Sequence, residues 1–156
     1  MKLSLPHDEA PDYVAQQLNS IFPHETVPGD QLRQYVYVTL ERAAHYFAHI
    51  RNKYFNQAGE VYFNHLHTDQ YAMFLYFLSN SIYRKSNDSD LASKVYGLNK
   101  ALHAIDVFYE VELPDIFFFQ HQSGTVLARA QYSDYLIVYS RCSVAGILNM
   151  EEDVAA

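Results

Sequence analysis

The chain has 156 residues, of which 49% are apolar and 19% charged, and it contains 14 Tyr and 10 Phe. This composition is typical of one folded unit with a sizeable core, and it excludes disordered, collagen-like and linker-rich chains. The formal net charge of −7 disfavours binding to the phosphates of nucleic acids. Polar residues interrupt every apolar run before it reaches the length of a membrane-spanning helix, so we expect no membrane partner.

Two amphipathic helices are predicted in the first third of the chain. Residues 8–22 carry apolar side chains three and four positions apart, and Pro23 ends the run. A turn rich in Pro and Gly follows, and Asp30 is placed to cap the second helix. In that helix one apolar stripe continues for about six turns. Its members are Leu32, Val36, Leu40, Ala43, Phe47, Ile50 and Tyr54.

Two further helices are predicted before residue 106. The third begins at Thr68 and is apolar around nearly its whole circumference, which is typical of a central helix. Its aromatic side chains are interpreted as an oligomer contact in preference to a ligand pocket. They are Tyr71, Phe74, Tyr76, Phe77 and Tyr83. The fourth helix has a stripe from Leu91 to Ile105, with Asp88 and Asp90 suited to its positive N-terminal end.

From Val107 onward the pattern favours strands, because short β-branched or aromatic runs are separated by turn residues. The runs are Ile116–Phe119, Gly124–Arg129, Asp134–Tyr139 and Arg141–Gly146. Turn residues recur about every six positions, which is compatible with solenoid coils. The pattern alone favours an ordinary meander of about three or four strands.

Residues 99–146 resemble a known family. The matching segments are Asn99–Asp106, Tyr109–Ile116, His121–Ala130, Tyr132–Tyr135, Val138–Tyr139 and Cys142–Val144. They resemble the serine O-acetyltransferase-like hexapeptide acyltransferases, in which a helical domain precedes a left-handed parallel β-helix. These enzymes transfer an acetyl group from acetyl-CoA to a serine hydroxyl.

The predicted fold is therefore mainly α, in a single compact unit. A bundle of about four helices occupies residues 1–106, a short β segment occupies 107–148, and 149–156 form an acidic tail. The β segment is either about two left-handed β-helix-like coils or a small sheet. The family has several more coils, which hold coenzyme A against a neighbouring subunit. The resemblance thus implies a truncated solenoid whose last strands offer unpaired backbone groups to another chain.

His121 is the catalytic base that the resemblance implies, since it stands ahead of Gly124 and Val126 as the family's histidine does. An imidazole in that place removes the hydroxyl proton as the oxygen attacks the thioester. The aspartate that commonly precedes it in the family is Gln120 here, so Asp115 or Glu112 is the candidate orienting group. Asp134 is a further candidate carboxylate. The alternative is a partly buried strand histidine with a structural role.

Other candidate groups have ordinary interpretations. His45 and His49 have the spacing of a metal pair on a helix, but they share a polar face, so a solvated surface is favoured. For His65–Asp69 we favour N-capping and turn hydrogen bonds over a metal or proton-transfer cluster. Cys142, the single cysteine, is interpreted as an inert buried thiol. With no intrachain disulfide and no secretory leader pattern, the expected location is the cytoplasm.

Three functions are compatible with the sequence. The first is an oligomerising or interaction module that is not catalytically competent alone and associates with itself or with a full-length acetyltransferase homologue. The second is an O-acetyltransferase with His121 as general base, acetyl-CoA as substrate and no bound cofactor. The third is a small-molecule-binding helical module with a pocket lined by Tyr and Phe.

Overall fold

The computed structural model describes residues 1–145. Its helices are α1 (Ala10–Ile21), α2 (Gly29–Phe47), α3 (Thr68–Ser86) and α4 (Ser89–His103). Its strands are β1 (Lys2–Leu3), β2 (Asn56–Gln57), β3 (Glu60–Phe63), β4 (Ile105–Val107), β5 (Phe117–Phe119), β6 (Thr125–Leu127), β7 (Leu136–Val138) and β8 (Ser143–Val144). The fold is mainly α with a short β region, as predicted. Residues 146–148 of the predicted β segment and the tail 149–156 lie outside the described residues.

Helix α3 is the central element of the core. Its residues are buried without interruption from Asp69 to Ile82, which confirms the prediction of a central helix. Tyr71, Phe74 and Tyr76 are each less than 5% exposed because α2, α4 and β5 pack around them. The interpretation of this aromatic stripe as an oligomer contact is therefore wrong. Four of the five rings fill the interior of the chain itself, and Tyr83 is half-buried at its edge.

Helix α2 is shorter than its apolar stripe. The helix ends at Phe47, so Ile50 and Tyr54 do not belong to it. The N–H groups of His49 and Ile50 donate to the carbonyls three residues back, at 3.1 Å each, and the chain tightens into a turn. The turn is held by α3, because the side-chain amide of Gln70 donates to the Tyr54 carbonyl at 2.7 Å. A contact with a distant helix thus overrides the helical periodicity.

The prediction that Asp30 caps α2 is wrong. Pro28, with extended backbone, occupies the cap position, and no side chain accepts a hydrogen bond there. The helix therefore begins one residue before Asp30, at Gly29, where a Cβ would collide with the Asp12 side chain on α1. Asp30 lies in the first turn and pairs with Arg33 at 2.7 Å.

A small sheet formed by β1, β2 and β3 is absent from the sequence prediction. Strand β3 pairs antiparallel with β2 and parallel with β1. Ala58 and Gly59 connect β2 and β3 with positive φ angles of 54° and 83°, the geometry of a tight hairpin turn. Gly59 indicated a turn in the sequence, but the polar residues around it do not show the apolar pattern of strands.

Helix α4 begins as predicted and ends earlier. Asp88 lies at the positive N-terminal end of the helix, as predicted, and its side chain also caps the helix by accepting a hydrogen bond from the Leu91 N–H at 2.9 Å. Ala104 turns into the left-handed region with φ of 52°, and Ile105 then opens β4. The assignment of Ile105 to the helix was wrong, because an apolar residue after the helix end continued the periodic pattern.

The C-terminal strands wind as coils. Strand β6 lies between β4 and β8 in one ladder, β5 pairs with β7 in another, and every pair is parallel. A meander pairs antiparallel, so the preference for a meander was wrong. Positive φ angles at His121, Gly124, Tyr135 and Arg141 bend the chain between strands. These corners send successive strands to alternate ladders, and hairpins do not form.

The coils and helices share one hydrophobic core. The ring of Phe117 on β5 lies 5.4 Å from that of Phe77 on α3 and 5.6 Å from that of Tyr46 on α2, measured between centroids. Within residues 1–145, no helix is long and apolar enough to cross a membrane.

Candidate functional site

The turn between β5 and β6, residues 120–124, is the histidine corner. His121 stands there with φ of 53°, and its backbone N–H donates to the Asp69 carboxylate at 3.1 Å. Asp69 is only 4% exposed and lies in the first turn of α3, so the central helix fixes the corner. The His121 ring itself is exposed. The alternative of a partly buried strand histidine is wrong, because the residue lies on a turn at the surface.

The candidate orienting carboxylates are occupied or placed elsewhere. Glu112 lies 3.6 Å from Arg84, and Asp134 accepts a hydrogen bond from the Ile116 N–H at 3.2 Å. Asp115 is exposed and precedes β5, whereas His121 follows it. Among the described residues, no side chain is hydrogen-bonded to the His121 ring. The structure therefore does not bring His121 together with a carboxylate in a catalytic pair.

The other predicted histidines serve local structure. His45 and His49 are exposed on α2 and just beyond it, as predicted, and the His49 Nδ1 lies 2.9 Å from the His45 carbonyl. His65 Nδ1 lies 2.7 Å from the Ser4 hydroxyl, and burial lowers the His65 pKa. Residues 1–145 contain no group of three or more His, Cys, Asp or Glu side chains arranged to hold a metal ion.

The segment before α3 forms turn hydrogen bonds, as predicted, but no cap. Asn64 accepts from the Leu66 N–H through its side chain at 3.0 Å and from the His67 N–H through its carbonyl at 2.9 Å. His67 occupies the cap position without a side-chain hydrogen bond. Cys142 is half-buried, and its N–H donates to the Thr125 hydroxyl at 3.3 Å.

A groove on the helical part, the helical groove, was missed by sequence reasoning. It has a volume of about 290 Å³ and runs between α1 and α4. Ile21 and Leu102 flank it, and each is 44% exposed. The groove is lined by Tyr13, Gln16, Gln17, Ser20, Ile21, Leu98 and Leu102. The residue in the sequence that could have indicated the groove is Leu102, an apolar residue of α4 that remains exposed in the structure.

A second depression, the coil cleft, lies between the segment that follows α2 and the β5–β7 ladder. Its volume is about 330 Å³. It is lined by His49, Ile50, Arg51, Asn52, Ile116, Phe117, Phe118, Gln120, Tyr135, Leu136 and Ile137. The sequence analysis placed a hypothetical pocket on the aromatic residues of α3. Those rings are in the core, and this cleft uses aromatic residues of the coils.

The arrangement of four helices followed by parallel coils was compared with known proteins. Neither a protein-family model nor a curated protein sequence matches this chain. A solved structure of "Serine Acetyltransferase- Apoenzyme (truncated)" superposes with a TM-score of 0.53 over 83% of this chain, at 14% identity. A "Serine Acetyltransferase- Complex with CoA" superposes with a TM-score of 0.53 over 87%, at 16% identity. The fold is serine acetyltransferase-like.

This likeness confirms the predicted resemblance at the level of the fold. The serine acetyltransferase-like fold includes both the helical part and the coils, since more than four-fifths of the chain superposes. The chain covers 57% of the length of each solved acetyltransferase chain.

Proposed function

We propose that this protein is a self-associating module with a serine acetyltransferase-like fold, and that the helical groove is its contact with a second copy. The observation that carries the proposal is the exposure of Ile21 and Leu102, 44% each, on adjacent helices. Burying these exposed aliphatic side chains against a partner removes apolar surface from water, which favours association. Among the described residues, no carboxylate forms a catalytic pair with the His121 ring. The lack of such a pair also favours a non-catalytic role for the chain on its own.

The walls of the helical groove are already ordered. The Gln17 amide donates to the Tyr13 hydroxyl at 3.1 Å, and the Gln17 carbonyl oxygen accepts from the buried Tyr71 hydroxyl. Tyr71 belongs to the core, so these bonds fix the polar side of the groove before a partner arrives. A preformed surface loses little conformational entropy on association. Two such grooves related by a two-fold axis make a self-complementary contact.

The test is the mass of the protein in solution. The wild type is expected to form an oligomer that dissociates on dilution in light scattering, and Ile21→Glu combined with Leu102→Glu is expected to stay monomeric. Leu66→Glu is the matched control, since Leu66 is 73% exposed and does not line the groove. A wild type that stays monomeric at all concentrations would contradict the proposal. If the protein associates only with an added full-length serine acetyltransferase, the partner of the groove is that enzyme and not a second copy of this chain.

A second candidate function is acetyl transfer from acetyl-CoA with His121 as general base. It is favoured by the superposition on a CoA complex and by the exposed ring at a corner fixed by α3. For this function, a neighbouring subunit would supply a CoA-binding wall beside that ring. Calorimetric titration with acetyl-CoA, followed by a thioester-consumption assay with serine, tests it. Saturable binding with activity lost in His121→Ala supports transfer, and absence of both removes this function.

A further inference from the structure

The coil cleft has the size of a small ligand site. Its volume of about 330 Å³ lies at the lower end of small-molecule pockets. One wall is the turn after α2, and the other is the outward face of the β5–β7 ladder. The turn wall is rigid, because the Asn52 side chain accepts from the Tyr54 N–H at 3.0 Å and Gln70 holds the Tyr54 carbonyl. The cleft is therefore a preformed feature.

The floor of the cleft is apolar and aromatic. Phe118 and Ile137 are paired neighbours on β5 and β7, and both belong to its lining. Phe118 is braced from behind by Phe55, whose ring is nearly perpendicular to it at a centroid distance of 5.4 Å. Ile137 remains 55% exposed. A ligand that covers this floor with an aromatic or branched body removes apolar surface from water.

The polar side chains of the rim include one cation and no carboxylate. Arg51 lines the cleft and takes part in none of the ion pairs or side-chain hydrogen bonds formed by residues 1–145. Asn52 and Gln120 add side-chain amides, whose N–H groups can donate. The adjacent acid Asp134 is outside the lining, and its carboxylate accepts the Ile116 N–H. In a chain with 18 acids and 11 bases, this local excess of donors favours an anion.

Tyr135 lies at the mouth of the cleft, at a corner between coils. Its backbone is in the left-handed region with φ of 64°, which is uncommon for a bulky residue, and its N–H donates to the Ile116 carbonyl at 2.7 Å. This conformation holds the side chain at the mouth of the cleft, 72% exposed.

We infer that the coil cleft binds a small carboxylate with an apolar body, whose carboxylate pairs with the Arg51 guanidinium and whose body lies on Phe118, Ile137 and Tyr135. A guanidinium presents paired donors that match a carboxylate, and the apolar floor excludes small hydrophilic acids of the same charge. The site is separate from the helical groove, and it shares Gln120 with the histidine corner.

The experiment compares 3-phenylpropionate with its neutral isostere 3-phenylpropionamide. Chemical shifts of the backbone amides of residues 49–52 and 135–137 report binding at the cleft. The carboxylate is expected to bind about two- to five-fold more tightly than the amide, as one exposed charge pair allows. Arg51→Gln is expected to abolish this preference, whereas Lys53→Gln keeps it, because Lys53 carries the same charge nearby and does not line the cleft.

Tyr135→Asn separates binding from folding. Asn tolerates the left-handed backbone, so the thermal midpoint should be retained while binding of both probes weakens. Equal binding of the two probes, or a carboxylate preference that survives Arg51→Gln, would overturn the anionic ligand class. Absence of shifts at the cleft with both probes would overturn the site. The groove variant with Glu at positions 21 and 102 should bind 3-phenylpropionate normally, so failure of self-association leaves this result unaffected.

Discussion

At the scale of single residues, buried polar groups decide how the core responds to pH. His103 lies at the end of α4 and is only 8% exposed, and its Nδ1 lies 2.8 Å from the Asn99 side-chain oxygen. The Asn99 amide in turn donates to the Ala72 carbonyl at 2.9 Å, so this oxygen is the acceptor and Nδ1 carries the proton. Burial lowers the pKa of His103 to about 4. The ring is therefore neutral in the folded chain at neutral pH.

The unfolding free energy is expected to fall as the pH decreases from 7 to 4. Between the ordinary histidine pKa of about 6.5 and the lowered value, only the unfolded chain binds the proton, at a cost to stability of about 2 to 3 kcal/mol. Below that range both states are protonated, and the loss is complete. Urea unfolding across this pH range should show a smaller loss in His103→Asn than in the wild type. His24→Asn is the control, since His24 is exposed, and its unfolding free energy should change with pH as that of the wild type does. The same dependence of the unfolding free energy on pH in the wild type and both variants would contradict the prediction.

At the scale of elements, helix ends were less predictable than helix interiors. The apolar periodicity located all four helices of the described chain, because each buries a stripe against its neighbours. It failed at Tyr54 and Ile105, where apolar side chains after the helix end kept the same spacing. Both ends are set by contacts that are distant in sequence. At the end of α2, the Gln70 side chain holds the turn that follows the helix. At the end of α4, the Ala104 carbonyl accepts a hydrogen bond from the Gly124 N–H at 2.8 Å.

Ala104→Gly is expected to raise the unfolding free energy by about 0.5 to 1 kcal/mol. Ala104 ends α4 with φ of 52°, a conformation that Gly adopts without the steric cost of a Cβ. Ala101→Gly is the control, since Ala101 is exposed within α4 and the same substitution there should lower stability by about 1 kcal/mol. Chemical denaturation measures both. Destabilisation of similar size at the two positions would contradict the assignment of a left-handed cap.

At the scale of the whole molecule, the coils are part of the helical core. The Phe117 ring from β5 lies within 6 Å of the rings of Tyr46, Tyr76 and Phe77, measured between centroids. Tyr76 also fixes the connection between β4 and β5, because its hydroxyl donates to the Val111 carbonyl at 2.7 Å and accepts from the Leu113 N–H at 3.2 Å. Burial raises the pKa of Tyr76 to about 12, so the hydroxyl keeps its proton. We expect one cooperative unfolding transition.

Phe117→Leu is expected to lower the stability of helices and coils together. Truncation to Ala would cost about 3 to 5 kcal/mol, and Leu retains enough volume to keep the chain folded. Circular dichroism at the helical band and hydrogen exchange of the Val126 amide, which donates to the Cys142 carbonyl, report the two parts. Ile137→Leu, on the exposed face of β7, should leave both unchanged. Separate midpoints for the two signals would show that the parts unfold independently.

The sequence by itself determined the helical class, the central position of α3 and the acidic start of α4 at Asp88, because these depend on local periodicity and local charge. It also located His121 at a coil through its resemblance to the acetyltransferases, a likeness now supported by the fold. Only the tertiary structure decided between meander and coils, since parallel pairing joins residues far apart in the chain. The same reason explains the missed coil cleft. Its walls, residues 49–52 and 116–137, become neighbours only when β5 packs on the helices.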